Sequence, residues 1–237
     1  MSARSVDPVP SEAEVLHALR LGGVLDTEAA AERLGVGAGP TRVVLDRLRV
    51  SSLVVHRGGS FAGWSLTASG RCRGEELLAE EVDALGARGA LESAYEGFLL
   101  LNGEILGVCT DWQVVRGGAP NVLNDHSDSS YDSEVLARLE SLHDRTTSVL
   151  APLEEALTRF RGYRPRLGTA LRRALGGEVD WVTRPMIDSY HTVWFELHED
   201  LLASLGRQRQ DERNSFGAPG HRGRSMRAER GPGDASG

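Results

Sequence analysis

The chain has 237 residues, 40% of them hydrophobic, and a formal net charge of −7, a balance that fits a globular protein with room for one large core or two smaller ones. It shows no apolar run near the roughly 18 residues that a membrane span needs, its start MSARSVDPVPSEAE lacks the apolar core of a signal peptide, and its two cysteines, Cys72 and Cys109, form no CxxC pair. These features exclude a membrane span, a disulfide framework and a zinc ribbon, and a cytoplasmic location is expected.

Charge is distributed unevenly. Residues 11–74 carry 8 Arg and 6 acids, residues 75–205 carry 11 Arg and 23 acids, and residues 206–237 carry 7 Arg and 4 acids. A near-neutral to basic first domain (11–74), preceded by a disordered 1–10, is thus expected ahead of a strongly acidic second domain (75–205).

SEAEVLHALRLGG places Ser11 three residues before Glu14, a capping-box spacing, followed by Val15, Leu16 and Leu19 at helical intervals and a Gly22-Gly23 stop. DTEAAAERLGVG predicts a short second helix capped by Asp26 or Thr27 and ended by Gly35. A third helix is predicted from Pro40 or Thr41, with Val44, Leu45 and Leu48 inward and Thr41, Arg42, Asp46 and Arg49 outward. LVVHR then reads as a strand with Leu53 and Val55 alternating, Gly58-Gly59 as the turn, and Trp64 and Leu66 as the returning strand.

Three helices and a hairpin in this order predict a winged helix-turn-helix. The stretch LDRLRVSSLVVHR…WSLTASGR resembles the recognition-helix, wing and following-helix segment of MarR-type transcription regulators. Asp46-Arg47-Leu48, Leu53-Val54, Leu66-Thr67 and Gly70-Arg71 match that pattern, and Ser52 stands where Gly is usual. The resemblance covers about 65 residues and implies binding to double-stranded DNA. Arg pairs with guanine edges and phosphates, and hydroxyls bind phosphates; the candidate DNA-binding residues are therefore Thr41, Arg42, Arg47, Arg49 and Arg57. A homodimer is expected, because one winged helix covers only a half-site.

In the second domain, a charged connector helix is predicted over 74–85 and broken by 86–89. The next helix carries Phe98, Asn102, Ile105, Cys109 and Trp112 on one side. A polar loop comes next, then a helix from Tyr131 to Leu150 with a restart at Pro152 reaching Phe160, a short helix in RPRLGTALRRAL, a loop in GGEVDWVTRP, and a last long helix in PMIDSYHTVWFELHEDLLASL. The fold class expected is mainly α, a three-helix, two-stranded winged helix followed by a bundle of four or five helices. LLNGEILGVCTDWQ, NDHSDSSYD and DSYHTVWFELHEDLL resemble a helical region that follows MarR-like winged helices in actinobacterial proteins; that region implies no particular ligand or reaction.

Asn102, Trp112, His126, His143, Asp188, His191 and Trp194 are the candidates for a small-molecule effector pocket. Three readings stand for the histidines: a metal site using His126, His143, His191 and Asp188; core-rim imidazoles bonded to carboxylates; or polar contacts in a pocket. His191 and His198 are seven residues apart, roughly 10 Å along a helix, too far to share one ion, and no HExxH motif occurs. No catalytic order, phosphate loop or dinucleotide fingerprint is present, so neither an enzyme nor a cofactor is expected. The alternative is a helical-domain enzyme or metal-dependent binding protein that uses the winged helix to contact other proteins. The Gly- and Arg-rich tail 206–237 is expected to be disordered.

Overall fold

Ser11 starts α1 (Glu12–Gly22) by the expected capping box. Its side chain accepts from the Glu14 N–H, and the Glu14 carboxylate accepts from the Ser11 N–H at 2.7 Å. The computed structural model describes residues 8–59, 62–115 and 122–207. Of the segments expected to be disordered, 1–10 and 206–237, all but 8–10 and 206–207 lie outside those residues; Pro10 is buried, and the Arg207 N–H bonds to the Leu202 carbonyl at 2.9 Å. Asp26, rather than Thr27, caps α2 (Thr27–Leu34), and Gly35 ends it at φ 66° in the left-handed region.

The third helix, α3 (Ala38–Val50), begins two residues earlier than expected. Pro40 is tolerated there because the N–H groups of a first turn have no partner within the helix. Val44, Leu45 and Leu48 face inward as predicted. Thr41 does not face outward: it is fully buried, and its hydroxyl donates to the Gly37 carbonyl at 2.9 Å. One turn before Leu45 and Val44, it lies on the core side of the helix.

The hairpin β1 (Val54–Arg57) and β2 (Gly63–Leu66) is antiparallel, pairing Val54 with Leu66 and His56 with Trp64. Leu25, between α1 and α2, pairs with Trp64 on the other side of β2 through two backbone hydrogen bonds of 2.7 and 3.0 Å. The strand's inward residue is Val54, not Leu53 and Val55. The shift has a cause. Ser52 turns left-handed at φ 58°, and the Leu53 N–H bonds back to the Leu48 carbonyl at 2.9 Å, so Leu53 belongs to the end of α3 and alternation begins one residue later.

Thr67 locks the hairpin to the helix after it. Its hydroxyl oxygen accepts from the Gly70 N–H at 2.9 Å, capping α4 (Ala68–Ala84), and its O–H faces the carbonyls of Ser52 and Leu53 at 2.8 and 3.1 Å. A Cβ on Gly70 would lie 1.8 Å from the Leu53 carbonyl oxygen, so only glycine allows this approach. The connector expected from 74 thus begins at Ala68, directly at the hairpin exit, and continues across that boundary: Leu77 packs on a first core of Val15, Leu16, Leu19, Leu45, Leu48, Val54 and Trp64, and Val82 lies in a second.

The second core is helical. α5 (Arg88–Gln113) and α6 (Ser129–Ala156) run antiparallel, as the pairs Gly97 with Val149, Glu104 with Arg145 and Asp111 with Arg138 show. Contrary to expectation, α6 does not restart at Pro152 but passes through it, since losing one hydrogen bond near a helix end is outweighed by burying Leu150, Leu153 and Leu157 on the same core. A 3₁₀ turn at Thr158–Gly162 leads into α7 (Tyr163–Leu175); the expected loop after it contains the short α8 (Asp180–Thr183), and α9 (Tyr190–Leu205) starts at the Ser189 cap, later than expected. Among the described residues the protein is mainly helical, with a small two-stranded antiparallel sheet. Among the described residues no helix is long and apolar enough to cross a membrane.

Gly70→Ala is expected to lower unfolding free energy by about 1–3 kcal/mol in urea denaturation, the range for a steric clash in a packed site. Gly89→Ala, in open space at the start of α5, is expected to be neutral or to stabilise by up to about 1 kcal/mol.

Candidate nucleic-acid interface and the junction behind it

The core stripe of Thr41, Val44, Leu45 and Leu48 turns the opposite side of α3 to solvent, so that Arg42, Val43, Arg47, Arg49 and Val50 are exposed. Four of the five candidate DNA-binding residues, Arg42, Arg47, Arg49 and Arg57, are on the surface; Thr41 is not. Arg42 donates through Nε to Asp46 at 2.8 Å and lies over the Trp64 ring, 5.2 Å from its centroid. The Arg42 hydrogen bond holds the Asp46 carboxyl below its ordinary pKa. Arg49 approaches the same carboxylate at 3.7 Å. Arg47 makes no ion pair among the described residues. Arg57, at the end of β1, is exposed beside the Gly58-Gly59 turn; residues 60 and 61 of that turn lie outside the described residues.

Behind this face, α1 and α2 meet α9 through charges that are largely withdrawn from water. Arg33 makes a two-pronged pair with Glu196 at 2.7 and 3.0 Å, and Arg166 adds a 2.8 Å bond to the same carboxylate while gripping Asp188 with its other two donors. Arg20 bridges Glu199 at 2.6 Å and Glu75 at 2.7 Å. Asp200, 2% exposed, accepts from the Tyr163 hydroxyl at 2.8 Å, pairs with Arg159, and lies 3.2 Å from His17 Nε2 of α1. Burial alone pushes the Asp200 carboxyl up, but His17 and Arg159 outweigh it and hold the group well below the usual carboxylate range. Glu196 behaves alike: burial raises it, and Arg33 and Arg166 bring it below its ordinary value. A cleft of about 780 Å³ opens beside this network, with His17, Arg33, Arg159, Tyr163, Arg166 and Asp200 in its walls.

The seven residues expected at an effector pocket are placed in separate groups. Asn102 accepts from Trp194 Nε1 at 3.0 Å, joining α5 to α9. Trp194 stacks on Phe98 and follows Tyr190, whose hydroxyl is 3.3 Å from His143 Nδ1. Trp112 lies against the His126 ring, and His126 Nδ1 is 3.0 Å from Asp132. Asp188 is paired with Arg166. His191 is half-buried, and burial lowers its pKa, as it does that of His143. Among the described residues no three His, Cys, Asp or Glu side chains are grouped to hold a metal ion. Burial pushes the Cys109 thiol up to about 12, which removes it as a nucleophile.

Sequence reasoning does not single out the junction residues His17, Arg20, Arg33, Glu196 and Asp200. A signal is present: Glu196 and Asp200 are four apart on the apolar helix VWFELHEDLLASL, and acids within such a face need buried partners. Comparison with protein families, curated proteins and solved structures finds no match to this chain.

The depressed Asp200 and Glu196 carboxyls make stability fall in acid. Their contribution is fully present above the unfolded carboxylate pKa of about 4 and is lost as pH falls through the lower native values. Asp200→Asn is expected to cost about 3 kcal/mol at pH 7. Its stability should then decline less steeply than that of the wild type between pH 4 and 2, as measured by urea denaturation.

Proposed function

We propose that this protein is a DNA-binding transcription regulator of the MarR-like winged-helix type, acting in the cytoplasm as a homodimer on double-stranded DNA. α1 to α3 and the β1–β2 hairpin form the winged helix, α3 enters the major groove, and Arg57 at the hairpin contacts the adjacent backbone. The observation that carries the reading is the outer face of α3, where Arg42, Arg47 and Arg49 are exposed and Asp46 is the one acid. Their charge suits phosphates, and a helix is the element that fits the major groove.

Two of the residues that match the MarR-type pattern, Thr67 and Gly70, hold the hairpin in place, which supports the same reading. Thr67 and Gly70 join the hairpin exit to the Ser52–Leu53 turn. Ser52, where that family usually has glycine, takes the left-handed conformation to which glycine is suited. The acidic helical part serves for ligand sensing or dimerisation. A small-molecule effector there would act from the junction cleft, whose walls come from both α1–α2 and the bundle, and binding at that place would alter how α3 is presented.

The test is binding of the full chain to the duplex upstream of its own gene, followed by fluorescence anisotropy at two salt concentrations. Arg47→Ala is expected to weaken binding about equally across sequences and to reduce the salt slope by about 1, as loss of a phosphate contact does. Arg42→Ala, which removes a second phosphate contact, is expected to lower affinity and salt slope in the same sequence-independent way. Unchanged affinity and salt slope in both variants, with thermal melting like that of the wild type, would refute the assignment of α3.

A further inference from the structure

Two valines stand in the middle of the exposed face of α3. Val43 is 58% exposed and Val50 81% exposed, on the same side of the helix as the exposed Arg42, Arg47 and Arg49. At about 100° per residue, the solvent-facing arc of α3 runs in the order Arg49, Arg42, Asp46, Gly39, Val50, Val43, Arg47. The arginines therefore occupy the two flanks. The centre is apolar except for Asp46, whose carboxylate is engaged by Arg42 and Arg49. A Cβ on Gly39 would meet nothing within 4 Å, so the backbone is bare at the point where the helix begins.

We infer that Val43, supported by Val50, reads the C5 methyl groups of thymines in the major groove, with Arg47 on one flank and Arg42 and Arg49 on the other holding the phosphates. This rests on the proposal that α3 binds duplex DNA. A helix lying in the groove turns the middle of its outer arc toward base edges and its flanks toward the two backbones. Of the groups on those edges, the thymine methyl is the apolar one, and an isopropyl side chain complements it by removing both from water. The arginine flanks supply the charge complementarity that makes a nucleic acid, rather than an apolar protein surface, the occupant of this face. Asp46 serves as a positioning residue: holding Arg42 and Arg49 to one side keeps the centre open for the valines.

The experiment uses the full chain and duplexes selected by it from a random pool. Each thymidine of a selected duplex is replaced in turn by deoxyuridine, which deletes the C5 methyl and leaves the hydrogen-bonding edges intact. Wild type is expected to lose about fourfold in affinity at one or two positions, the worth of one buried CH₂-sized group. Val43→Ser, at an exposed site where folding is checked by thermal melting, is expected to bind the thymidine and deoxyuridine duplexes equally at the position it reads. Val50→Ser identifies its own position in the same way. Deoxyuridine substitution without effect in wild type, or with the same penalty in both valine variants as in wild type, overturns the inference while leaving DNA binding intact. Failure of wild type to select or bind any duplex at low salt overturns the DNA-binding reading itself.

Discussion

Glu196 and Asp200 are buried acids set one turn apart in α9, and the arrangement of the molecule depends on how they are neutralised. An uncompensated carboxylate withdrawn from water costs several kcal/mol, so each must meet cations or hydrogen-bond donors wherever the chain can bring them. Glu196 takes Arg33 from α2 and Arg166 from α7; Asp200 takes His17 from α1 and Arg159 from the turn before α7. Each carboxylate thus draws one partner from each half of the chain. Such charge pairs contribute less to net stability than to geometry, since bidentate bonds fix angle as well as distance.

That geometry has a consequence for α3. With α1 and α2 held by α9 and the hairpin held by Thr67 and Gly70, α3 packs inward through Thr41, Val44, Leu45 and Leu48 and leaves its opposite face free. The acidic composition of residues 75–205 repels phosphates, which concentrates the proposed attraction for DNA on the first 74 residues. The two apolar cores are separate, and ion pairs at the junction join α1 and α2 to α9 between them.

Local signals in the sequence carry far where local chemistry decides the outcome. Ser11 with Glu14, Gly35 and the apolar spacing of Val44, Leu45 and Leu48 each specify a helix start, stop or face without help from distant residues. Strand phase is not legible in the same way, because Ser52 adopts a conformation that a serine does not announce. Thr41 reads as outward because its hydroxyl is polar, although one bond to Gly37 satisfies it within the helix. Pro152 reads as a break because the burial that overrides it comes from elements far along the chain. The histidines show the same limit. Their residue types allow a shared site although their spacing does not favour one, and the fold gives His126 to Asp132 and His143 to Tyr190, while the charge cluster that does form combines residues up to 183 positions apart, from His17 to Asp200.

The central claim, that the exposed side of α3 and the β1–β2 hairpin meet duplex DNA, is tested most directly by amide hydrogen exchange of the full chain with and without the duplex upstream of its own gene. Slower exchange on α3 and the hairpin is predicted when DNA is bound, with the solvent-facing side of α6 unchanged. Protection confined to the helical bundle, or exchange on α3 unaltered at saturating DNA, would contradict it.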